Sequence, residues 1–312
     1  LKQPGKAFQA FQKGNLLSLK ENIQPGMSKR GFLDLTRAYQ ELDLGEVRET
    51  TAEILSGPNE TPAFLIGFPR SGTTLLHQIL DGHPELEILE EEPFITTGRG
   101  AIIQRKGSLK AAFSELSGTE WNQLKSELLH VYGGLRVKGK NTKIIDKLPL
   151  HIIDVPLILK MFPKAKFIVA LRHPFDCTLS CFMQNFTLNN AMLNFTNLED
   201  TTRLYQQVFS LWLKYQEELQ PDFMYVRYED VVADLEKEAR RMISFLDLKW
   251  NPEVLNYRQA ALGKKRINTP SYHQVIQPIY TDAAGRWKRY EKFFTPFRKR
   301  LVPFCETFGY EL

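Results

Sequence analysis

The chain has 312 residues, 43% hydrophobic, 25% charged and 12% aromatic, with a formal net charge of +5. These globular proportions exclude a disordered chain, a collagen and a coiled-coil rod. No uninterrupted apolar run approaches the ~20 residues that a bilayer span needs, and three cysteines cannot build a disulfide framework. With neither a charged n-region nor an apolar h-region at the start, the expectation is a soluble, cytoplasmic protein.

Residues 1–60 are polar and helix-favouring, with Phe32, Leu33, Leu35, Tyr39, Leu42 and Val47 at helical spacing. Ser56-Gly57-Pro58-Asn59 reads as the loop that ends this helical lead-in. From residue 61 the pattern changes to short apolar strands alternating with helices. Strands are predicted at 63–68, 86–89, 143–147, 166–172 and 223–228. Helices are predicted at 73–82, 152–162, from 176, and at 235–246. Such alternation gives an α/β fold: a doubly wound parallel sheet, helices on both faces, ligands at the carboxyl ends of the strands.

The strongest local signal follows the first strand, Gly67-Phe68-Pro69-Arg70-Ser71-Gly72-Thr73-Thr74, and leads into a helix. A strand, a glycine-bearing loop and a helix N-terminus aim backbone N–H groups at an anion, so this is a P-loop-like phosphate loop. Its glycine spacing matches G-x-x-x-x-G-K-[ST], but Thr73 stands in place of the lysine. Without that cation, and with no clear Mg²⁺-binding aspartate, a small-molecule kinase is the weaker reading, and the loop suits an anion smaller than a triphosphate. Arg70 supplies fixed charge, and Ser71, Thr73 and Thr74 supply hydroxyls. A second anion site is expected where the fourth strand ends: Arg172 as a planar fork, with Ser180 one to two helical turns on. Two separate anion sites describe a nucleotide phosphorylated at both ends of its ribose, the shape of 3′-phosphoadenosine 5′-phosphosulfate (PAPS).

Two other patterns carry less. His173, Cys177 and Cys181 share a helix face, but structural zinc takes four ligands, so buried thiols and no metal are expected. Residues 264–300 are strongly basic and interleave Tyr272, Tyr280, Trp287, Tyr290, Phe293 and Phe294, as a nucleic-acid-binding module would. That alternative leaves both anion motifs unexplained.

With the two loops in this order, the sequence resembles the PAPS-dependent sulfotransferase superfamily. Pro69-Arg70-Ser71-Gly72-Thr73-Thr74 looks like its 5′-phosphosulfate loop, and Arg172 through Ser180 like its 3′-phosphate motif. The nearest likeness is to tyrosylprotein sulfotransferases and bacterial relatives fused behind tetratricopeptide repeats. It runs from about residue 61 to the C-terminus and includes Leu80-Asp81-Gly82-His83-Pro84, Asp146-Lys147, Arg227-Tyr228-Glu229-Asp230 and Ser271-Tyr272-His273-Gln274. The resemblance implies a sulfotransferase domain over 61–312, with 1–60 as the end of a helical-repeat region. It implies in-line transfer from PAPS, leaving 3′-phosphoadenosine 5′-phosphate (PAP), to an acceptor hydroxyl, without a metal, nucleic acid or membrane span.

Site residues follow from the same likeness. Glu91 matches the family's catalytic base by ungapped count from the phosphate loop; Glu92 is second. Three adjacent glutamates, Glu90 to Glu92, repel one another, which is expected to raise the pKa of whichever is buried. His83 and His151 are the histidine alternatives, His83-Pro84 reading better as a turn. Lys147 matches the catalytic lysine, and Ser271 a serine that holds the transferring group. Tyr228 and Arg286 match cofactor contacts, with Arg286 where the family has lysine. Gln184 stands where the family has a second 3′-phosphate arginine. The acceptor is open: peptidyl tyrosine, a small molecule, a glycan or a lipid. Pro93-Phe94-Ile95 follows Glu92 where the protein-tyrosine enzymes carry basic residues, and the next arginines are Arg99 and Arg105. Residues 187–197 are expected to form part of an acceptor-side loop.

Overall fold

A computed structural model of the chain describes residues 3–48, 60–139, 142–257 and 284–312. In chain order the elements are α1 (Pro4–Asn22), α2 (Lys29–Gln40), α3 (Leu44–Arg48), β1 (Ala63–Gly67), α4 (Thr73–Asp81), β2 (Leu86–Glu90), α5 (Phe94–Lys106), α6 (Leu109–Glu115), α7 (Gly118–Gly134) and β3 (Lys143–Lys147). A 3₁₀ turn, Pro149–Asp154, then leads to α8 (Val155–Met161), β4 (Lys166–Leu171), α9 (Pro174–Met183), α10 (Leu198–Glu218), β5 (Asp222–Arg227), α11 (Tyr228–Ala233) and α12 (Leu235–Phe245). After a 3₁₀ turn, Arg286–Tyr290, the chain closes with α13 (Glu291–Phe294) and α14 (Arg298–Thr307).

The five strands are parallel, in the order β2-β3-β1-β4-β5. β1 to β4 are almost wholly buried, as strands covered on both faces are, while β5 at the edge is only half-buried. Side chains alternate between two cores: Phe64, Ile66, Phe167 and Val169 enter one, and Ala63, Leu65, Ile168 and Ala170 the other. The β1-to-β2 connection runs toward one edge and packs α4 on the second core. The next three connections run toward the other edge and pack their helices on the first. This is the arrangement that right-handed crossovers impose, and it is the doubly wound sheet expected from the sequence.

The predicted helix at 152–162 departs from expectation. It opens as the 3₁₀ turn and becomes α-helical only at Val155, with Pro156 in the first turn of α8. Proline has no N–H to donate and fits a helix only there.

The lead-in is not a separate layer. Phe8 of α1 stacks on Phe293 with ring centroids 3.8 Å apart and also meets Phe182. Lys29 pairs with Asp200 at 2.7 Å. Tyr39, fully buried, donates its hydroxyl to Asp154 at 2.5 Å. Residues 187–197, expected to form part of an acceptor-side loop, also receive this lead-in: Asn190 Oδ1 accepts the Ser28 N–H at 2.9 Å, and Asn194 Nδ2 donates to the Lys29 carbonyl.

Candidate active site

Strands β1 and β4 lie side by side, and their connections leave toward opposite edges. That is the switch point where an open α/β sheet forms a crevice at its carboxyl end. The phosphate loop leaves β1 there, and Arg172 leaves β4 beside it.

The loop is held by steric and polar contacts. Gly67 has φ +151°, and a Cβ on it would lie 2.6 Å from the Ala170 carbonyl of the neighbouring strand. Gly72 has φ +106°, and a Cβ there would lie 3.1 Å from the Tyr228 ring. The thiols of Cys177 and Cys181, both wholly buried, donate to the Pro69 carbonyl at 3.3 and 3.1 Å. Both thiols brace the loop through that carbonyl. Among the described residues no group of three His, Cys, Asp or Glu could hold a metal ion. Ser71, Thr73 and Thr74 are buried around the start of α4. The Ser71 hydroxyl has no hydrogen-bond partner among the described residues, a donor that a buried site leaves for a ligand.

Arg70 joins the two segments expected to bind anions. Its backbone has φ +69°, a conformation seldom adopted outside glycine. Its Nε donates to Ser180 Oγ at 3.2 Å, and its carbonyl accepts from Arg172 Nη1 at 3.3 Å. The Arg172 guanidinium lies over the Tyr228 ring, 5.1 Å from its centroid. Arg70, Arg172, Ser180, Tyr228 and Gly72 therefore form one connected cluster. Arg172 and Ser180, expected to grip one phosphate together, are linked here through Arg70.

The second half of the site comes from strand register. Glu90 pairs across the ladder with Lys147, so both side chains leave the sheet together. Lys147 has no exposed surface; its Nζ contacts Glu90 Oε1 at 3.2 Å and Glu91 Oε1 at 2.9 Å. Glu91 extends the ladder by donating its N–H to the Lys147 carbonyl at 2.8 Å, and then turns out with φ +55°. Two of the four non-glycine positive-φ residues among the described residues, Arg70 and Glu91, thus sit in this site, as backbone strain tends to gather in functional loops. Glu92 is half-buried, with no ion pair or hydrogen bond among the described residues.

The expectation that repulsion raises the buried carboxyl is overturned at Glu90. Burial does push it up, but the contact with His77 Nδ1 at 3.4 Å and the Lys147 ammonium outweigh burial and hold it at about 2. A carboxyl held below its ordinary value stabilises the fold above that ordinary value and loses the benefit as pH falls toward 2. The shift corresponds to at most about 3 kcal/mol. Urea unfolding of Glu90→Gln and wild type is therefore expected to differ most at neutral pH and to converge between pH ~4.5 and ~2.

The remaining candidates separate cleanly. His83 is a turn brace: its Nδ1 accepts the Glu85 N–H at 3.1 Å and its Nε2 donates to the Lys249 carbonyl at 2.9 Å. His151 has no exposed surface and faces Asp146 at 3.5 Å, away from the Glu90, Glu91 and Lys147 contacts. Arg286 opens the 3₁₀ turn beside α9, because the Asp176 carboxylate accepts the N–H groups of Gly285 and Trp287 at 2.6 and 2.8 Å. Ser271 lies outside the described residues, as do Lys264, Lys265 and Arg266. Gln184, at the end of α9, donates to the Asn185 carbonyl.

Arg99 is not available to receive an acidic peptide. It is mostly covered and held in an ion pair with Asp154, which keeps its guanidinium well above the ordinary range despite the desolvation. Among the described residues of the basic C-terminal segment, Trp287, Tyr290 and Phe294 are buried in the core and so form no stacking platform; Tyr272 and Tyr280 lie outside the described residues. Arg298 and Arg300 are engaged by Glu291 and Glu199. Sequence reasoning passed over His77, Asp176 and Glu90's tie to Lys147. The only signal for His77 was its position one helical turn past Thr73.

Residues 62–252 match the model of the sulfotransferase family. An uncharacterized protein of Aquifex aeolicus (strain VF5) is 30% identical over 304 residues, covering 93% of this chain and 38% of that protein. Protein-tyrosine sulfotransferase A of Caenorhabditis elegans is 25% identical over 252 residues, covering 74% of this chain and 62% of the enzyme. The chain thus spans less than two thirds of the length of either relative. The sulfotransferase domain of the Synechococcus PCC 7002 olefin synthase superposes with a TM-score of 0.55 at 21% identity, covering 82% of this chain and 98% of that domain.

Proposed function

Given that the chain belongs to the sulfotransferase family, we propose that it transfers a sulfuryl group in line from PAPS to an acceptor hydroxyl. The observation that carries this reading is the meeting at the switch point of the two segments expected to bind anions, bridged by Arg70. A substrate with phosphate groups at both ends of a ribose spans them: the 5′ end on Ser71, Gly72, Thr73 and Thr74, and the 3′-phosphate on Arg172 and Ser180. Tyr228 packs against Arg172 and Gly72; Arg286, and Ser271 outside the described residues, are further donor-side candidates by the family likeness alone.

Sulfuryl transfer asks chiefly for positioning and for stabilisation of charge on the departing oxygen. In this reading Glu91, exposed at the mouth, takes the acceptor proton, with Glu92 as the alternative. Lys147, joined by Arg70 and the loop amides, faces the departing bridge oxygen. The transferred group carries less charge than a phosphoryl group, so these cations meet the demand without a metal. The acceptor is a hydroxyl compound without acidic flanks. The Arg99–Asp154 pair and the glutamates around the mouth favour a neutral or basic molecule over an acidic peptide.

Calorimetric titration of PAP, AMP and ATP–Mg²⁺ into wild type and Arg172→Ala tests the reading. PAP is expected to bind at least ~100-fold more tightly than AMP, with most of that margin lost in the variant, since a bidentate guanidinium–phosphate contact is worth a few kcal/mol. Preference for ATP–Mg²⁺ would favour the kinase alternative instead.

A further inference from the structure

Lys147 is wholly buried, yet two carboxylates share its ammonium. They are not equivalent. The Glu91 side chain is 46% exposed and sits past the end of the strand on a positive-φ residue. The Glu90 side chain is 21% exposed and is fixed in the ladder opposite Lys147. Its Oε1 also meets His77 Nδ1 at 3.4 Å. His77 is itself 4% exposed and lies on α4, one turn beyond Thr73 of the phosphate loop. A line of contacts therefore runs from the helix that carries the phosphate loop, through His77 and Glu90, to Lys147.

The proposed reaction gives this line a task. As the acceptor oxygen bonds to sulfur, its proton passes to Glu91, the bond from sulfur to the bridge oxygen breaks, and the electron pair stays on that oxygen. At that moment Glu91 becomes neutral and its hold on Lys147 weakens, just when the ammonium must face new negative charge. A buried ammonium left without a counter-ion would give up its proton or swing away. We propose that Glu90 is a fixed counter-ion which, braced by His77, keeps Lys147 charged and aimed throughout the transfer. Glu90 and His77 are then positioning residues that act through Lys147 and touch neither substrate. The inference rests on the sulfuryl-transfer reading and names residues outside its binding and proton-transfer groups. Two further observations agree with it. Burial holds His77 below its ordinary value, so it braces as a neutral ring. Glu90, at about 2, stays ionised at working pH and cannot serve as the base.

The test compares wild type, Glu90→Gln, Glu90→Asp and His77→Asn in two measurements that need no knowledge of the acceptor. One is calorimetric affinity for PAP. The other is consumption of radiolabelled PAPS to PAP with enzyme in excess and water as the acceptor, read as a limiting rate at saturating enzyme. Removing the charge of Glu90 is expected to lower the limiting rate by ~30-fold or more with PAP affinity within about threefold, since only an interaction realised in the transition state is lost. Glu90→Asp is expected to recover part of the rate, and His77→Asn to lose about three- to tenfold. Thermal melting of each variant separates this from unfolding. A wild-type rate in Glu90→Gln, a loss confined to PAP affinity, or no recovery in Glu90→Asp would each overturn the positioning role. Failure of the wild type to bind PAP, or to consume PAPS at all, would overturn the sulfuryl-transfer reading instead.

Discussion

Replacing Lys147 with methionine is expected to slow PAPS consumption by about a thousandfold, the upper range for removing one preorganised electrostatic stabiliser. Methionine has a similar length and no charge, so the buried channel between Glu90 and Glu91 stays filled. PAP affinity is expected to change only a few-fold, because Arg172, Ser180 and the loop amides remain in place. The same variant removes the ammonium that holds Glu90 down, so that carboxyl should climb back toward the ordinary range, against the residual pull of His77. Single-turnover rates on labelled PAPS and calorimetry on PAP check the first two points. A Lys147→Met enzyme within tenfold of wild type would remove Lys147 from the chemistry.

The second large effect concerns stability. Asp154 accepts from Tyr39 of the lead-in and pairs with Arg99 of α5, while the 3₁₀ turn that carries it continues from the strand end bearing Lys147. One carboxylate thus clamps three segments, two of them leading directly from Glu91 and Lys147. Asp154→Ala leaves a mostly covered guanidinium and a buried phenol without their acceptor, at an expected cost of about 3–5 kcal/mol. Tyr39→Phe, which removes a single hydroxyl, should cost about 1 kcal/mol. Urea unfolding at neutral pH compares the two; equal midpoints for Asp154→Ala and wild type would show that the clamp contributes nothing.

β1 and β4 were legible because central parallel strands buried on both faces write themselves as unbroken apolar runs; 143–147 was read to the residue although only Ile144 and Ile145 in it are apolar. The phosphate loop was legible because glycines at fixed spacing after such a strand have few other uses. Helices α5 to α7 were not called from periodicity. In α5, Gly98, Gly100, Thr96 and Thr97 dilute the helical pattern with weak helix formers, although the Ser117–Glu120 capping box that opens α7 was there to be read. The Lys147 cluster shows the other limit. Lys147 lies more than fifty residues from the adjacent Glu90 and Glu91, and only the β2–β3 register places them together. Local sequence gave three glutamates in a row, from which mutual repulsion is the natural inference. The lysine that reverses its effect on Glu90 arrives through topology.

The shared core of the lead-in has a practical side for anyone who trims or recombines this protein. The family match spans 62–252, and those limits invite use as the borders of a minimal unit. A fragment so cut would discard Tyr39 from the pocket at Asp154, Phe8 from the Phe182 ring, and Trp287 from its stack on Phe175, 4.6 Å away. It would also strip the N–H partners from Asp176. What sequence comparison marks out as a module is, by its packing, the middle of one. Chimeras joined near residue 60 would have to carry a matching set of helices along with the graft.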